Sequence, residues 1–175
     1  MICKEIVERI DATKLKALVE CELLNVHDDR IVRSVQEFLV EPRAELRSWD
    51  YGAPNQKYVC WIAFDDREGT GIAYCEQGFG PRLPWGLISP EASNHESMGM
   101  DSGWFPTFME AYFESSAATD LPIWQLFSMD GGAFKQPLTD ELTWDEAWRR
   151  CEQARQSGPA THFGVHHSIV FGKIV

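Results

Sequence analysis

The chain has 175 residues, 44% of them apolar, with 27 acidic side chains against 16 basic ones and a formal net charge of -11. This length and apolar content suit one domain around one core, and no run approaches the roughly 18 apolar residues needed to cross a bilayer. The acidic balance disfavours direct binding to nucleic acid, where affinity comes mainly from Lys and Arg.

The opening run Met1-Ile2-Cys3-Lys4-Glu5 lacks the charged and apolar regions of a signal peptide, so the sequence predicts an unexported, cytoplasmic protein with no membrane association. Five cysteines, Cys3, Cys21, Cys60, Cys75 and Cys151, form no C-x-x-C pair, which points to reduced thiols rather than a disulfide framework.

The first 50 residues read as mostly helical. Asp11 is placed to cap a helix carrying Leu15, Leu18, Val19 and Leu23 on one face, and Asp28 or Asp29 caps a second with Ile31, Val32, Val35, Phe38 and Leu39. Pro42 stops the second helix. From Ala44 to Trp49 apolar and polar residues alternate, with Ala44, Leu46 and Ser48 on the apolar side, as in an edge strand.

Tyr58 to Asp65 and Thr70 to Gln77 form the strongest predicted hairpin, turning at Asp66-Arg67-Glu68-Gly69. Its first strand is apolar on both faces, which predicts a central, covered strand. A symmetric turn sets Cys60 directly across from Cys75, and both read as small buried hydrophobes rather than a redox pair.

Gly78 to Gly103 is rich in glycine, proline, serine and aromatics and reads as a 26-residue loop, uncommon inside a compact domain and usually functional. A helix over 104–118 follows, with Asp101 or Ser102 as cap and Phe105, Phe108, Met109, Tyr112 and Phe113 as its buried stripe. Ile123–Ser128 and Ala133–Gln136 form a second hairpin around Met129-Asp130-Gly131-Gly132. Thr143 to Glu146 fits a capping box for a helix burying Trp144, Ala147, Trp148, Cys151 and Ala154, ended by Gly158-Pro159. Alternation returns in a last strand with Phe163, Val165, His167, Ile169 and Phe171 on one side. The sum over residues 1–175 is a single α+β domain, with a largely antiparallel sheet of about five strands, helices packed on it, and no separable linker.

No motif names a reaction. His162 and His166 share a strand face but stand roughly 13 Å apart, too far to share one ion, and His167 points the other way, so no metal site is predicted. Gly78-Phe79-Gly80 lacks the third glycine of a dinucleotide loop and is followed by Pro81 and Pro84, so no nucleotide cofactor is predicted.

The acids concentrate between Asp65 and Glu146, where 15 stand against Arg67, Arg82 and Lys135. This pattern predicts a small acidic binding protein whose 78–103 loop and following helix hold a basic protein partner. Phe79, Trp85 and Trp104 would supply buried area, and Glu91, Glu96, Asp101, Glu110 and Glu114 the charge. An immunity or inhibitor protein neutralising a cationic toxin fits that description. The alternative is a small-molecule binder or hydrolase-like enzyme with its pocket under the same loop and His95, Glu96 and Asp101 as catalytic candidates. A homodimer in which Trp85 and Trp104 meet their copies is a third arrangement.

Overall fold

A computed structural model describes residues 10–49, 51–53, 55–90, 97–99, 101–130, 132–157 and 163–168. The fold is mixed α+β, with an antiparallel five-stranded sheet in order β1-β2-β3-β4-β5 and a three-stranded antiparallel sheet in order β7-β6-β8. Backbone contacts group the chain into two compact units, Met1–Ala117 and Ala118–Val175. Among the described residues no helix is long and apolar enough to cross a membrane.

The first unit opens with α1 (Ala12–Leu23) and α2 (Asp29–Phe38). The Asp11 carboxylate accepts from the Lys14 amide at 2.9 Å and that of Asp28 from the Arg30 amide at 2.9 Å, so each satisfies a donor that the first helical turn leaves open. Leu15, Val19 and Leu23 are the buried stripe of α1, and Ile31, Ser34 and Val35 that of α2. Both stripes follow the predicted spacing.

Strand β1 (Leu39–Arg47) begins directly after α2, five residues before the alternation suggests. Pro42 therefore lies inside a strand. It is tolerated because β1 is an edge strand and its pairing with β2 (Tyr58–Asp65) shifts register between Leu39 and Arg43, where the missing amide costs no ladder bond. The facing of β1 is also the reverse of the sequence expectation: Arg47 is 1% exposed, whereas Leu46 is 60% exposed and Ala44 is exposed.

Buried charge is stable only when paired and hydrogen-bonded. The Arg47 guanidinium meets that condition at its two terminal nitrogens, donating through Nη2 to Glu45 Oε2 at 3.0 Å and to the Ser89 carbonyl at 2.9 Å, and through Nη1 to the Ser97 carbonyl at 3.3 Å, while its buried Nε has no partner among the described residues. Nearby, the Met98 amide donates to the Ser48 carbonyl at 2.8 Å. Arg47 thus fixes the edge strand to both ends of the 89–97 segment.

The β2–β3 hairpin has a five-residue turn, Asp66 to Thr70, with the Asp66 carboxylate accepting from the Glu68 and Thr70 amides and with Arg67 and Gly69 in the left-handed region. Near the turn Phe64 pairs with Ile72 and Asp65 with Gly71. A bulge at Ala63 removes the one-residue offset, so that Ile62 faces Ala73 and Trp61 faces Tyr74. In β3 (Gly71–Tyr74) that register places Cys75, the next residue, opposite Cys60.

The predicted 78–103 loop contains a strand, β4 (Trp85–Ile88), followed after Met98 and a 3-10 turn (Asp101–Gly103) by β5 (Trp104–Phe105). The four apolar residues of β4 are short and bounded by prolines, which hides them in sequence, but Trp85 and Ile88 are buried and β4 completes its ladder with β3. Trp104 and Phe105 also differ from the helical expectation: they pair with Gly86 and Trp85, and α3 begins only at Phe108 (Phe108–Phe113), capped by Thr107 rather than Asp101 or Ser102. The Glu22 carboxylate of α1 accepts from the Phe108 and Met109 amides at 3.1 and 3.0 Å, fixing α3 to α1. A separate short helix, α4, covers Ser116–Thr119.

The second unit holds β6 (Trp124–Asp130), β7 (Ala133–Pro137), α5 (Trp144–Ser157) and β8 (Phe163–His167). Asp130 pairs with Ala133, so Asp130 belongs to the ladder rather than to the turn that the Asp-Gly signal suggests, and Gly132 is in the left-handed region. Ala147 and Cys151 are the buried face of α5. Trp148 is 39% exposed and stacks on Trp144, while Arg155 lies over its ring. The Glu146 carboxylate pairs with Arg149 and Arg150.

Replacing Arg47 by Met leaves two carbonyls and Glu45 without their shared donor. The full chain is expected to lose about 3 kcal/mol in urea unfolding, the lower end of the range for breaking one side of a buried pair because Glu45 keeps contact with water. A loss below about 1 kcal/mol would show that the pair behaves as a surface salt bridge.

Candidate functional site

The aromatics expected on a docking face lie in the core. Trp85 and Trp104 are each 3% exposed. Trp85 packs edge-on against Tyr74 and Phe108 at 5.0 and 5.2 Å between centroids. The Trp104 indole donates from Nε1 to the Met98 carbonyl at 2.8 Å and lies over Gly86, where an added Cβ would stand 2.2 Å from a ring atom. Phe79 is half-buried between Trp49 and Trp104.

Of the predicted acids, Glu110 and Glu114 are exposed at α3. Asp101 opens the 3-10 turn. Glu91, His95 and Glu96 lie outside the described residues, as do His162, Ile169 and Phe171. Among the described residues of 78–103, β4 and the Trp85 indole belong to the core, and Trp104 follows directly as a second core indole.

A different surface emerges from the face alternation of β1 and β2. Because Arg47 and Glu45 share a face with Cys60 and Ile62, the intervening Ala44 and Leu46 fall on the face carrying Val59 and Trp61. Leu46 is directly opposite Val59, and Ala44 opposite Trp61. This face packs against α1, α2 and α3 around Phe64, Ile72 and Trp85. Its far end stays open: Leu46 is 60% exposed, Val59 is 39% exposed and Trp61 is half-buried.

A cavity of about 190 Å³ adjoins this strip, lined by Ile10, Val59, Trp61, Glu76 and Gln77. Glu76 supplies its carboxylate. Glu76 stands two residues after Tyr74 and so falls on the same side of the sheet by strand alternation, and the Tyr74 phenol is pushed up by burial and then by the Glu76 charge. A second cavity of about 240 Å³ lies between α1 and β1, lined among others by Val19, Leu39, Val40 and Pro42, with a Lys16–Glu41 ion pair close by.

Sequence reasoning missed the strip for one reason. The Ala44–Trp49 alternation assigns Leu46 to the core and Arg47 to water, and only the buried Glu45–Arg47 pair reverses it.

In the second unit, His166 and His167 lie 4.4 Å apart between ring centroids, His166 against Phe134 and His167 against Trp124. Among the described residues no group of three or more His, Cys, Asp or Glu side chains could hold a metal ion. Burial first, and the neighbouring His166 second, push His167 down to about 3. The arrangement favours a neutral imidazole serving as an aromatic wall.

No family model, curated protein or solved structure matches the chain.

Two outcomes test these placements. Gly86→Ala forces a Cβ into the Trp104 ring and is expected to cost about 2–4 kcal/mol, from overpacking and the lost indole hydrogen bond, with a change in the near-ultraviolet circular dichroism of tryptophan. For His167 the folded pKa lies below the unfolded one near 6.5, so the unfolded state takes up a proton that the folded state refuses. Stability present above about pH 6.5 is therefore lost as pH falls toward about 3. Between about pH 6.5 and 5, before carboxylates titrate, His167→Gln should flatten the fall of the urea midpoint; an unchanged slope would reject the assignment.

Proposed function

We propose that this chain is a binding protein that holds a basic partner protein on the open end of the helix-bearing sheet face. The observation that carries the reading is the exposed Leu46–Val59 cross-strand pair, flanked by Ala44, Trp61 and the cavity with Glu76 at its rim. Scattered exposed apolar residues need no explanation, but adjoining ones on two paired strands form the kind of patch that interfaces use.

Basic character of the partner follows from charge complementarity. The chain carries a net -11, and exposed Glu68, Glu76, Glu110 and Glu114 belong to the same unit as the strip. Carboxylates steer a cationic partner and fix its orientation, while Leu46, Val59 and Trp61 supply the desolvated contact. An immunity or inhibitor protein acting on a cationic toxin works by this division: the acids raise the encounter rate, and the apolar centre slows release.

The test places a photo-crosslinking residue at position 59, with a second chain crosslinked from Glu152 on exposed α5 as control, in lysate at low salt. Capture from position 59 of proteins with basic isoelectric points, reduced at least tenfold by Glu76→Lys combined with Leu46→Asp and weakened by salt, is the expected result. Equal capture from both positions, or indifference to the double substitution, would overturn the reading.

A further inference from the structure

Cys60 and Cys75 are 0% and 1% exposed and belong to one core cluster with Ile62, Ala73, Ile88, Met98 and Trp104. Both are free thiols. The last paired residues of the β2–β3 ladder are Trp61 and Tyr74, and the same register continued by one residue beyond β3 sets Cys60 against Cys75.

The kind of pair matters. The Cys75 amide donates to the Pro84 carbonyl at 2.8 Å, toward the β4 side, so Cys75 directs its backbone bonds away from Cys60. Residues opposed in this way are a non-hydrogen-bonded pair, the closer of the two antiparallel types, with Cα atoms about 4.5 Å apart. That spacing falls within the range of about 4.4–6.8 Å that a disulfide spans, so no strand movement is needed to join the sulfurs.

We propose that Cys60 and Cys75 form a reversible cross-strand disulfide with hydrogen peroxide or another small peroxide as oxidant, making the β2–β3 hairpin a redox modification site.

The surroundings assign the order of events. The Cys60 thiol hydrogen-bonds to Cys75, and the Gln77 and Gly78 amides also donate to it, which together hold Cys75 below the ordinary thiol value against the effect of burial. Cys60 is pushed up by that same bond and by burial, so it keeps its proton. These donors favour Cys75 over Cys60 as the sulfur that reacts first. It attacks one oxygen of the peroxide, the O–O bond breaks, and hydroxide leaves to take up the proton that Cys75 released, giving water and a sulfenic acid at Cys75. The Cys60 sulfur then attacks the Cys75 sulfur, and the Cys60 proton leaves with the sulfenic hydroxyl as a second water. Two thiols lose two electrons, and one peroxide is reduced to two waters.

Burial selects for a small oxidant. Gly78 is half-buried beside the Cys75 sulfur, and Glu76 and Gln77 before it are exposed. The sequence reading of both residues as small buried hydrophobes holds for their burial and is amended for their chemistry. The disulfide does not depend on the proposed binding role, although Val59, Trp61 and Glu76 are its neighbours in the chain.

The experiment treats the reduced full-length protein with hydrogen peroxide or with glutathione disulfide, blocks remaining thiols under denaturing conditions, and maps them by peptide mass spectrometry. Expected is a peptide pair joined through Cys60 and Cys75, restored to two alkylatable thiols by dithiothreitol and formed at least tenfold faster with peroxide than with glutathione disulfide. Cys60→Ser should leave a dimedone-reactive sulfenic acid at Cys75, and Cys75→Ser should show no peroxide-dependent change at Cys60. Two free thiols after oxidation of Cys21, or equal sulfenic acid formation at Cys60 in the Cys75→Ser chain, would overturn the proposal. Equal rates with the two oxidants would overturn the restriction to small peroxides.

Discussion

The buried guanidinium of Arg47 sets the arrangement of the first unit. An arginine without water needs acceptors in several directions, and this one takes the Glu45 carboxylate and the carbonyls of Ser89 and Ser97. Those contacts connect the edge strand to a segment more than 40 residues later. They also decide which way β1 faces. Side chains in a strand alternate with period two, so once Arg47 and Glu45 turn toward the Cys60 face, Ala44 and Leu46 turn to the other. The exposed apolar strip is thus a geometric consequence of satisfying one buried charge.

Local signals made the helices readable. Asp11 and Asp28 are caps followed by apolar residues at helical spacing, and the structure starts α1 and α2 where those caps stand. The first hairpin was equally visible because both flanking runs are apolar and the polar turn is short. Its cysteine pairing survives for a reason absent from the sequence: the turn is one residue longer than a symmetric one, and the bulge at Ala63 removes the offset before Cys60 is reached.

Elements defined by tertiary partners were not legible. Trp85 to Ile88 has only four residues, in a stretch closed by Pro84 and Pro90, and becomes a strand because β3 offers a partner edge and Gly86 leaves room for the Trp104 ring. Trp104 and Phe105 have helical spacing with Phe108 and Tyr112, yet the Thr107 cap starts the helix after Pro106, and the two residues before it pair with β4. In the candidate site the same limit applies. Tryptophan in a glycine-rich stretch looks like an interface anchor, and only the packing of Tyr74, Phe108 and Met98 around the indoles shows that they are core.

Charge and apolar contact act over different distances, so under the proposed reading an acidic composition bears on the class of partner without locating its site. Coulomb steering reaches about one Debye length, roughly 8 Å at physiological salt, so exposed acids such as Glu68, Glu76, Glu110 and Glu114 can act without adjoining one another. Desolvation acts only at contact. A partner drawn in by the carboxylates therefore gains lasting affinity only where apolar surface is both contiguous and open, and the indoles of Trp85 and Trp104 do not offer such surface. Leu46 and Val59 do, because the alternation that hides Arg47 exposes them.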